Sequence, residues 1–317
     1  MFNTHPKTEE EKTLWFRAEM NYRQFKSLSH KLENSDIENE ILNNRYFLQK
    51  VSKSANLNIN EVSQWLKNAW NTESVLIRNI DIIENTNQSF CMQWAFPQAY
   101  YSVFGTTLAK FKAIGLTETS HTSVLKKYGS LMTEKKLPES ISISCNGIEK
   151  NFVFDNITAP IKIEGFMDLD LNNQSTIDNH ICQFLKATRI LRLKEKAPKM
   201  DFRKDNGEKR INLNAELWGK VSNSIGNTTI FDFLYRKRIK GNYQDIETYN
   251  SPYFKGKEVL ESLITVIDRI NLVNEVYICK AIGKNEYNKI IDKQLKLVSN
   301  DKLEKRLETT NLIINSI

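Results

Sequence analysis

The segment Ala99–Gly105 reads AYYSVFG, and a second run, HTSVLKKYG, follows at His121–Gly129. Aromatic and apolar side chains recur through the first run and beyond it at spacings of three and four residues. They are Tyr100, Tyr101, Phe104, Leu108 and Phe111. A stripe of this period is typical of a helix that packs in a core. The segment is therefore predicted to be a helix whose aromatic stripe packs in the core.

The same spacing continues on both sides of this segment and predicts helices along most of the chain. The 317 residues include only 11 Gly and 6 Pro, which agrees with long helices and few breaks. With 40% hydrophobic and 26% charged residues, the composition is that of a globular protein. Helices are expected at about 13–34, 37–52, 60–86, 89–115, 120–131, 175–194, 214–222, 229–248, 256–281 and 285–315.

A different pattern interrupts the helices near the middle of the chain. Residues 141–144 alternate between apolar and polar side chains, and a second, mostly apolar stretch follows at 151–154. Between them lie Asn146 and Gly147, a pair that favours the tight turn of a β-hairpin. We therefore predict a hairpin that turns at Asn146-Gly147, with a third strand at 161–165.

This interruption divides the chain into three regions. Residues 1–137 are predicted to form helices, and residues 138–212 an insertion that contains the hairpin and a basic helix and loop. Residues 213–317 are predicted to form the remaining helices. A surface connection between two helices accepts an insertion of this kind at small entropic cost. The predicted fold class is mainly α, a helical bundle with an inserted subdomain that contains a β-hairpin.

A third run, YRKRIKGNY at Tyr235–Tyr243, completes a pattern with the two runs quoted first. Together the three resemble the HEPN superfamily, helical bundles that bind or cut RNA in prokaryotes. The resemblance is to the bacterial branch associated with minimal nucleotidyltransferases, which carries AYYAVFHAARALL and THSGVI runs and later an RxxADY helix. It implies a HEPN-like bundle around the insertion. It also implies an RNA-binding protein of a bacterial antiviral-defence or toxin–antitoxin system.

The resemblance also implies which residues meet the RNA. HEPN ribonucleases use an Arg-x4-6-His motif, in which the guanidinium neutralises the scissile phosphate and the imidazole moves a proton. The matching helix here carries Arg236 and Arg238 but no His, so the ribonuclease motif is degenerate. RNA contact is implied for Arg236, Arg238 and Lys240, and Arg238 with Tyr243 remains the candidate catalytic pair.

A basic segment follows the predicted hairpin. Lys186–Arg210 contains ten Lys or Arg against four Asp or Glu, whereas the whole chain has a net charge of +7. Lysine and arginine neutralise phosphates and make RNA binding dependent on salt. A solvated flexible loop at 195–215 is the alternative interpretation. The candidates for nucleic-acid binding in this segment are Lys186, Arg189, Arg192, Arg203 and Lys204.

Three interpretations of function remain open. The first is RNA binding without cleavage, and the second is an inactive subunit that assembles with a protein encoded nearby or with a second copy of itself. The third is a metal-independent endoribonuclease with an atypical pair. That pair is either Arg238 with Tyr243, or Arg23 with His30 on one face of the first helix. His121 is expected to cap or pack at the start of a helix.

Other classes of site are not indicated. The chain contains no GxxxxGK[ST], GxGxxG, HExxH or GxSxG motif. Its four Cys are far apart, which argues against zinc and is typical of the reducing cytoplasm. Asp168 and Asp170 are interpreted as surface charge, so no metal or cofactor is expected. The polar N terminus and the lack of any apolar run near about 18 residues predict neither a signal peptide nor a membrane span.

Overall fold

A computed structural model describes residues 6–55, 57–86, 92–149, 151–158, 168–203, 207–210, 212–243, 245–295 and 301–317. Across these ranges the chain forms thirteen α-helices and a small three-stranded antiparallel sheet, which confirms the mainly α class. The helices are α1 (Glu9–Glu33), α2 (Ile37–Leu42), α3 (Arg45–Lys50), α4 (Ile59–Thr86), α5 (Met92–Ala113), α6 (His121–Thr133), α7 (Gln174–Lys196), α8 (Ala215–Ile225), α9 (Ile230–Tyr243), α10 (Ile246–Tyr249), α11 (Gly256–Ile282), α12 (Lys284–Leu295) and α13 (Asp301–Asn315). The strands are β1 (Ser144–Ile148), β2 (Asn151–Asp155) and β3 (Thr228–Thr229).

Helix α5 lies at the centre of the bundle and packs against α4, α9 and α11. Its contact with α4 depends on Gly105, because a Cβ atom there would lie 2.9 Å from the Cβ of Ala69. Of the predicted core stripe, Tyr100, Phe104, Leu108 and Phe111 are buried as expected. Tyr101 is not, because it lies at the edge of the bundle with 38% of its surface exposed.

Helix α9 runs along α5 and brings together two segments that are distant in the sequence. Gly241 allows the close approach, since a Cβ atom there would lie 2.8 Å from the carbonyl oxygen of Gln93. The ring of Tyr100 contacts the rings of Phe231 and Tyr235, with centroids 5.5 and 5.3 Å apart. The two segments therefore belong to one helical bundle, as the sequence predicts.

Two predicted helices are divided within the described ranges, and the helix expected at 285–315 corresponds to α12 and α13 on either side of residues outside those ranges. The expected helix at 37–52 is the pair α2 and α3, because the side chain of Asn44 accepts a hydrogen bond from the Phe47 N–H and starts a new helix. The expected helix at 229–248 likewise becomes α9 and α10.

The predicted hairpin exists, but its turn is in a different place. Ile148 pairs with Asn151, so Asn146 and Gly147 lie inside β1 and the turn prediction is wrong. Tertiary contacts account for the difference, because Arg189 donates to Asn146 Oδ1 and to the Gly147 carbonyl. The expected third strand at 161–165 lies outside the described residues. The strand observed beside β1 is β3.

Helix α7 of the predicted insertion shares the core of the bundle. It packs against α1 and α9, and its Phe184 ring stacks on that of Phe233 with centroids 4.0 Å apart. A second, smaller apolar cluster forms around Leu193, Val221 and Ile225 and joins α7 to α8. The insertion is therefore continuous with the bundle through α7.

A buried ionic network fixes helix α13 to the bundle. Arg306 pairs with Glu73 of α4 at 2.7 Å and with Glu275 of α11 at 3.0 Å. It also pairs with the partly exposed Asp268 at 2.8 Å. Among the helices described, none has both the length and the apolar character required to cross a membrane.

Candidate nucleic-acid interface

Arg238 lies on α9 among three tyrosine rings. The Cζ atom of its guanidinium is 5.0 Å from the ring centroid of Tyr101, 5.5 Å from that of Tyr235 and 5.6 Å from that of Tyr100. Cation–π attraction holds the group without neutralising it. In the described ranges Arg238 forms no salt bridge with a carboxylate, so its charge is available to an anion.

His121 contacts the same tyrosines from the start of α6. Its Nδ1 atom is 2.8 Å from the Tyr100 Oη atom, and its ring lies 4.5 Å from that of Phe104. The expected packing role is confirmed, whereas the capping role belongs to Ser120, whose hydroxyl accepts from the Ser123 N–H. Burial lowers the pKa of His121, and the cation of Arg238 lowers it further. The imidazole is therefore neutral at pH 7.

Arg238 and His121 thus occupy one site although they lie on different helices. Both contact Tyr235, whose ring centroid is 5.5 Å from the Arg238 Cζ and 5.8 Å from the His121 ring. The Arg-x4-6-His motif of HEPN ribonucleases places the same two kinds of group, an anion-binding guanidinium and an imidazole, on one helix. A search for Arg and His at fixed spacing misses this pair. The indication that the sequence does offer is that His121 lies in the second of the three runs that resemble the HEPN superfamily.

The proposed partner of Arg238 in catalysis, Tyr243, is the last residue of α9. Its side chain lies outside the described part of the structure, so the pair Arg238 with Tyr243 stays a prediction.

Exposed aromatic rings extend the site along α5. Tyr101, which contacts Arg238, is 38% exposed, and Trp94 is 59% exposed. The two residues are seven positions apart and therefore lie on the same face of the helix. Aromatic rings exposed beside cations are surfaces on which unpaired bases stack. The exposure of Tyr101 differs from the predicted core position, and the spacing of apolar residues gives no indication of a role for Trp94.

A cationic cleft of about 350 Å³ adjoins the Arg238 site between α6, α7, α8 and α9. Tyr235 lines it as well as contacting Arg238. Its apolar wall includes Leu125, Leu191 and Ile239. Its cationic side chains are Lys126, Arg192, Lys196, Lys199, Arg236 and Lys240.

Arg236 and Lys240, both predicted to contact RNA, line this cleft, but they differ in the partners that their charged groups already have. The Arg236 Nη1 atom donates to the Thr188 hydroxyl at 3.3 Å, whereas its buried Nε atom has no partner in the described residues. Burial lowers the pKa of Arg236. Lys240 is paired with Asp245 at 2.9 Å. Arg236 therefore keeps a free donor, and the charge of Lys240 is already balanced.

Arg189 is not a nucleic-acid ligand, and that prediction is corrected. It is fully buried. Its Nε atom donates to the Gly147 carbonyl at 3.1 Å, and its Nη2 atom to the Ser222 hydroxyl at 2.6 Å. A count of charges does not reveal burial. Here the guanidinium joins α7 to β1 and α8, and RNA cannot reach it.

Arg192 is largely committed to the fold as well. Its Nη1 atom pairs with Asp232 at 3.0 Å and donates to the Asn227 carbonyl at 2.8 Å. Its side chain is partly exposed and also lines the cleft.

The remaining basic candidates do not converge on the site. Lys186 is exposed, and its ammonium lies 5.6 Å from the Phe152 ring centroid. Arg203 is exposed and paired with Asp201 at 2.9 Å. Lys204 lies outside the described residues. A loop was predicted from residue 195. In the structure α7 continues to Lys196, and a short 3-10 turn follows at Ala197–Lys199.

The alternative pair, Arg23 with His30, is less suited to catalysis than the sequence suggests. Arg23 is buried and pairs with Glu19 at 2.8 Å and with Asp168 at 3.1 Å. Its charge is thus balanced inside the protein. Asp168, interpreted as surface charge, is exposed and serves as one of these partners. No cluster of side chains suited to hold a metal ion occurs within the described ranges.

The chain matches no family model, no curated protein and no solved structure. Its relation to the HEPN superfamily therefore stays a hypothesis that rests on the three sequence runs.

Proposed function

We propose that this protein is a HEPN-like component of a bacterial antiviral-defence or toxin–antitoxin system that binds single-stranded RNA at Arg238. The observation that carries the proposal is an arginine held by tyrosine rings without a carboxylate partner among the described residues. Exposed Tyr101 and Trp94 add stacking surfaces, and the adjacent cleft adds cations. Single-stranded RNA offers both the phosphates and the unstacked bases that such a surface binds. The link to defence comes from the resemblance alone.

The test is fluorescence anisotropy with a labelled single-stranded RNA and a matched duplex across a salt series. We expect the single strand to bind more tightly and its affinity to fall with salt. Arg238→Ala is expected to weaken binding by about tenfold or more, in line with ~1–3 kcal/mol for a stacked base. Arg238→Lys, which keeps the charge but loses the planar group, should give an intermediate affinity.

Arg45→Ala is the matched control, because Arg45 is an exposed arginine on α3. It removes the same charge without touching the site. Equal affinities for wild type and Arg238→Ala would contradict the proposal. Lack of RNA binding by wild type, together with stable association with itself or another protein, would favour the assembly-subunit alternative.

Metal-independent RNA cleavage is the second candidate function, and the contact of His121 with the Arg238 site favours it. A neutral imidazole can accept the proton of a 2′-hydroxyl while the 2′-oxygen attacks the phosphorus and the bond to the 5′-oxygen breaks. The guanidinium would neutralise the phosphate as charge develops. The products would be a cyclic phosphate and, after protonation, a 5′-hydroxyl. Incubation with RNA in EDTA should then yield cyclic-phosphate ends with wild type and none with His121→Ala or Arg238→Ala.

A further inference from the structure

We infer that the cleft between α6, α7, α8 and α9 is a second subsite for the same RNA strand. In this subsite one nucleotide lies against the apolar wall, and its phosphate lies between Lys126 of α6, Lys196 of α7 and Arg236 of α9. This inference rests on the proposed function. It adds a path for the strand and a phosphate ligand, Lys196, that lies outside the three sequence runs.

The size and the lining of the cleft match one nucleotide. Its volume of about 350 Å³ lies at the lower end of the range for small-ligand pockets, ~300–1,000 Å³. Leu125, Leu191 and Ile239 supply an apolar surface for a base or sugar, and the cations supply the charge for a phosphate. Such a division into apolar and cationic walls suits a ligand that is itself apolar on one side and anionic on the other.

The charges of the cleft are not balanced internally. Lys126, Lys196 and Lys199 form no ion pair with any carboxylate in the described ranges, and Arg236 retains an unpartnered Nε atom. Of the carboxylates in the lining, Asp232 is already paired with Arg192, which leaves Glu195. An excess of positive charge in a semi-enclosed cleft attracts a polyanion.

The cleft and the Arg238 site are continuous. Tyr235 has its ring against Arg238 and also lines the cleft. On α6, His121 belongs to the Arg238 site and the next residue, Thr122, lines the cleft. A strand held at Arg238 therefore passes directly into the cleft without crossing an intervening element.

The test compares two lysine pairs by anisotropy with a labelled 12-nucleotide single strand. Lys126→Gln/Lys196→Gln alters the cleft, whereas Lys50→Gln/Lys53→Gln removes the same charge from exposed positions elsewhere. The cleft pair is expected to weaken binding about five- to tenfold at low salt. The slope of the logarithm of the binding constant against the logarithm of the salt concentration should also become shallower, by ~0.7 for each phosphate that the protein no longer neutralises. Circular dichroism and melting temperature confirm that each variant is folded.

The outcomes separate this inference from the proposed function. RNA binding that requires Arg238 but shows the same salt slope for both lysine pairs would overturn the inference and leave the proposed function standing. Absence of RNA binding by wild type overturns both. The last measurement is the binding of uridine monophosphate, a single free nucleotide. If it binds wild type through Lys126 and Lys196 while RNA affinity is insensitive to them, the cleft serves a free nucleotide and the RNA path is wrong.

Discussion

The Nδ1 atom of His121 lies 2.8 Å from the Oη atom of Tyr100, and this hydrogen bond orients the imidazole in the Arg238 site. Tyr100 is fully buried and belongs to the central helix, so it is a rigid support. Its hydroxyl links α5 directly to the start of α6. The position of His121 is thus determined by the core of the bundle.

Replacing Tyr100 with Phe is expected to destabilise the protein by about 0.5–1.5 kcal/mol, because a buried hydrogen bond is lost. Chemical denaturation measures the change in the free energy of unfolding. Tyr101→Phe serves as the control, since Tyr101 is exposed and its hydroxyl forms no hydrogen bond among the described residues. Equal stabilities of the two variants would contradict a stabilising role for the contact.

Replacing Arg238 with Ala is expected to raise the pKa of His121 toward the ordinary 6.5. Burial and the nearby cation both lower this pKa, and only the second contribution disappears in the variant. An NMR titration of the imidazole resolves the change. Arg45→Ala should leave the His121 titration unaltered. Equal pKa values of His121 in wild type and in Arg238→Ala would show that the two groups do not interact.

Replacing Arg189 with Met is expected to cost about 3 kcal/mol or more, because buried carbonyl and hydroxyl partners of β1 and α8 lose their donors. Lys186→Met, one turn earlier on the exposed face of α7, should change stability by less than ~0.5 kcal/mol. Urea unfolding at fixed pH makes the comparison. Equal costs at the two positions would argue against an internal role for Arg189.

Replacing Gly105 with Ala is expected to destabilise the bundle by about 1–3 kcal/mol, because the new Cβ lies 2.9 Å from the Cβ of Ala69 and the helices must separate. Gly219→Ala in α8 is the matched control, as a Cβ there meets nothing within 4 Å. It should stabilise the protein by about 0.5–1 kcal/mol through helix propensity. Thermal melts of both variants would show shifts of opposite sign.

The buried amine of Lys110 predicts a dependence of stability on pH. Its Nζ atom has no hydrogen-bond partner among the described residues and lies 4.8 Å from the Tyr128 ring centroid. Burial lowers its pKa to about 7 from the ordinary 10.5. Between these values the unfolded chain holds more protons than the folded protein, so the free energy of unfolding rises with pH.

The rise is at most about 1.4 kcal/mol per pH unit for this single group. In Lys110→Met the contribution is absent, so the curve from pH 7 to 10 should be flatter than that of wild type. Lys50→Met, an exposed control on α3, should keep the wild-type slope. Parallel curves for wild type and Lys110→Met would mean that the amine stays protonated in the folded state.

The helices were predictable because the period of their apolar residues is local. Tyr100, Phe104 and Leu108 identify a buried helix without any knowledge of its neighbours. The turn of the hairpin was not predictable in this way. Asn146 and Gly147 have the chemistry of a turn, yet their polar groups are satisfied by Arg189, a residue distant in sequence.

The site was predictable only in part, for the same reason. Arg236 and Arg238 were found from one helix, and both face the proposed interface. His121 comes from another helix, and no spacing rule relates it to Arg238. In the basic segment, the sequence predicted a ligand where the structure has none at the surface. Arg189 was predicted to contact RNA from its charge, but it is buried by its hydrogen-bond partners.

The ion pairs of Arg306 have a consequence for the order of events during translation. Glu73 and Glu275 are fully buried in the finished protein, but the guanidinium that neutralises them emerges from the ribosome after both. Until α13 docks, the two carboxylates must stay hydrated or protonated, since isolated charges are costly to bury. We therefore expect the packing of α4 against α11 to tighten only when α13 docks and brings Arg306 to both carboxylates.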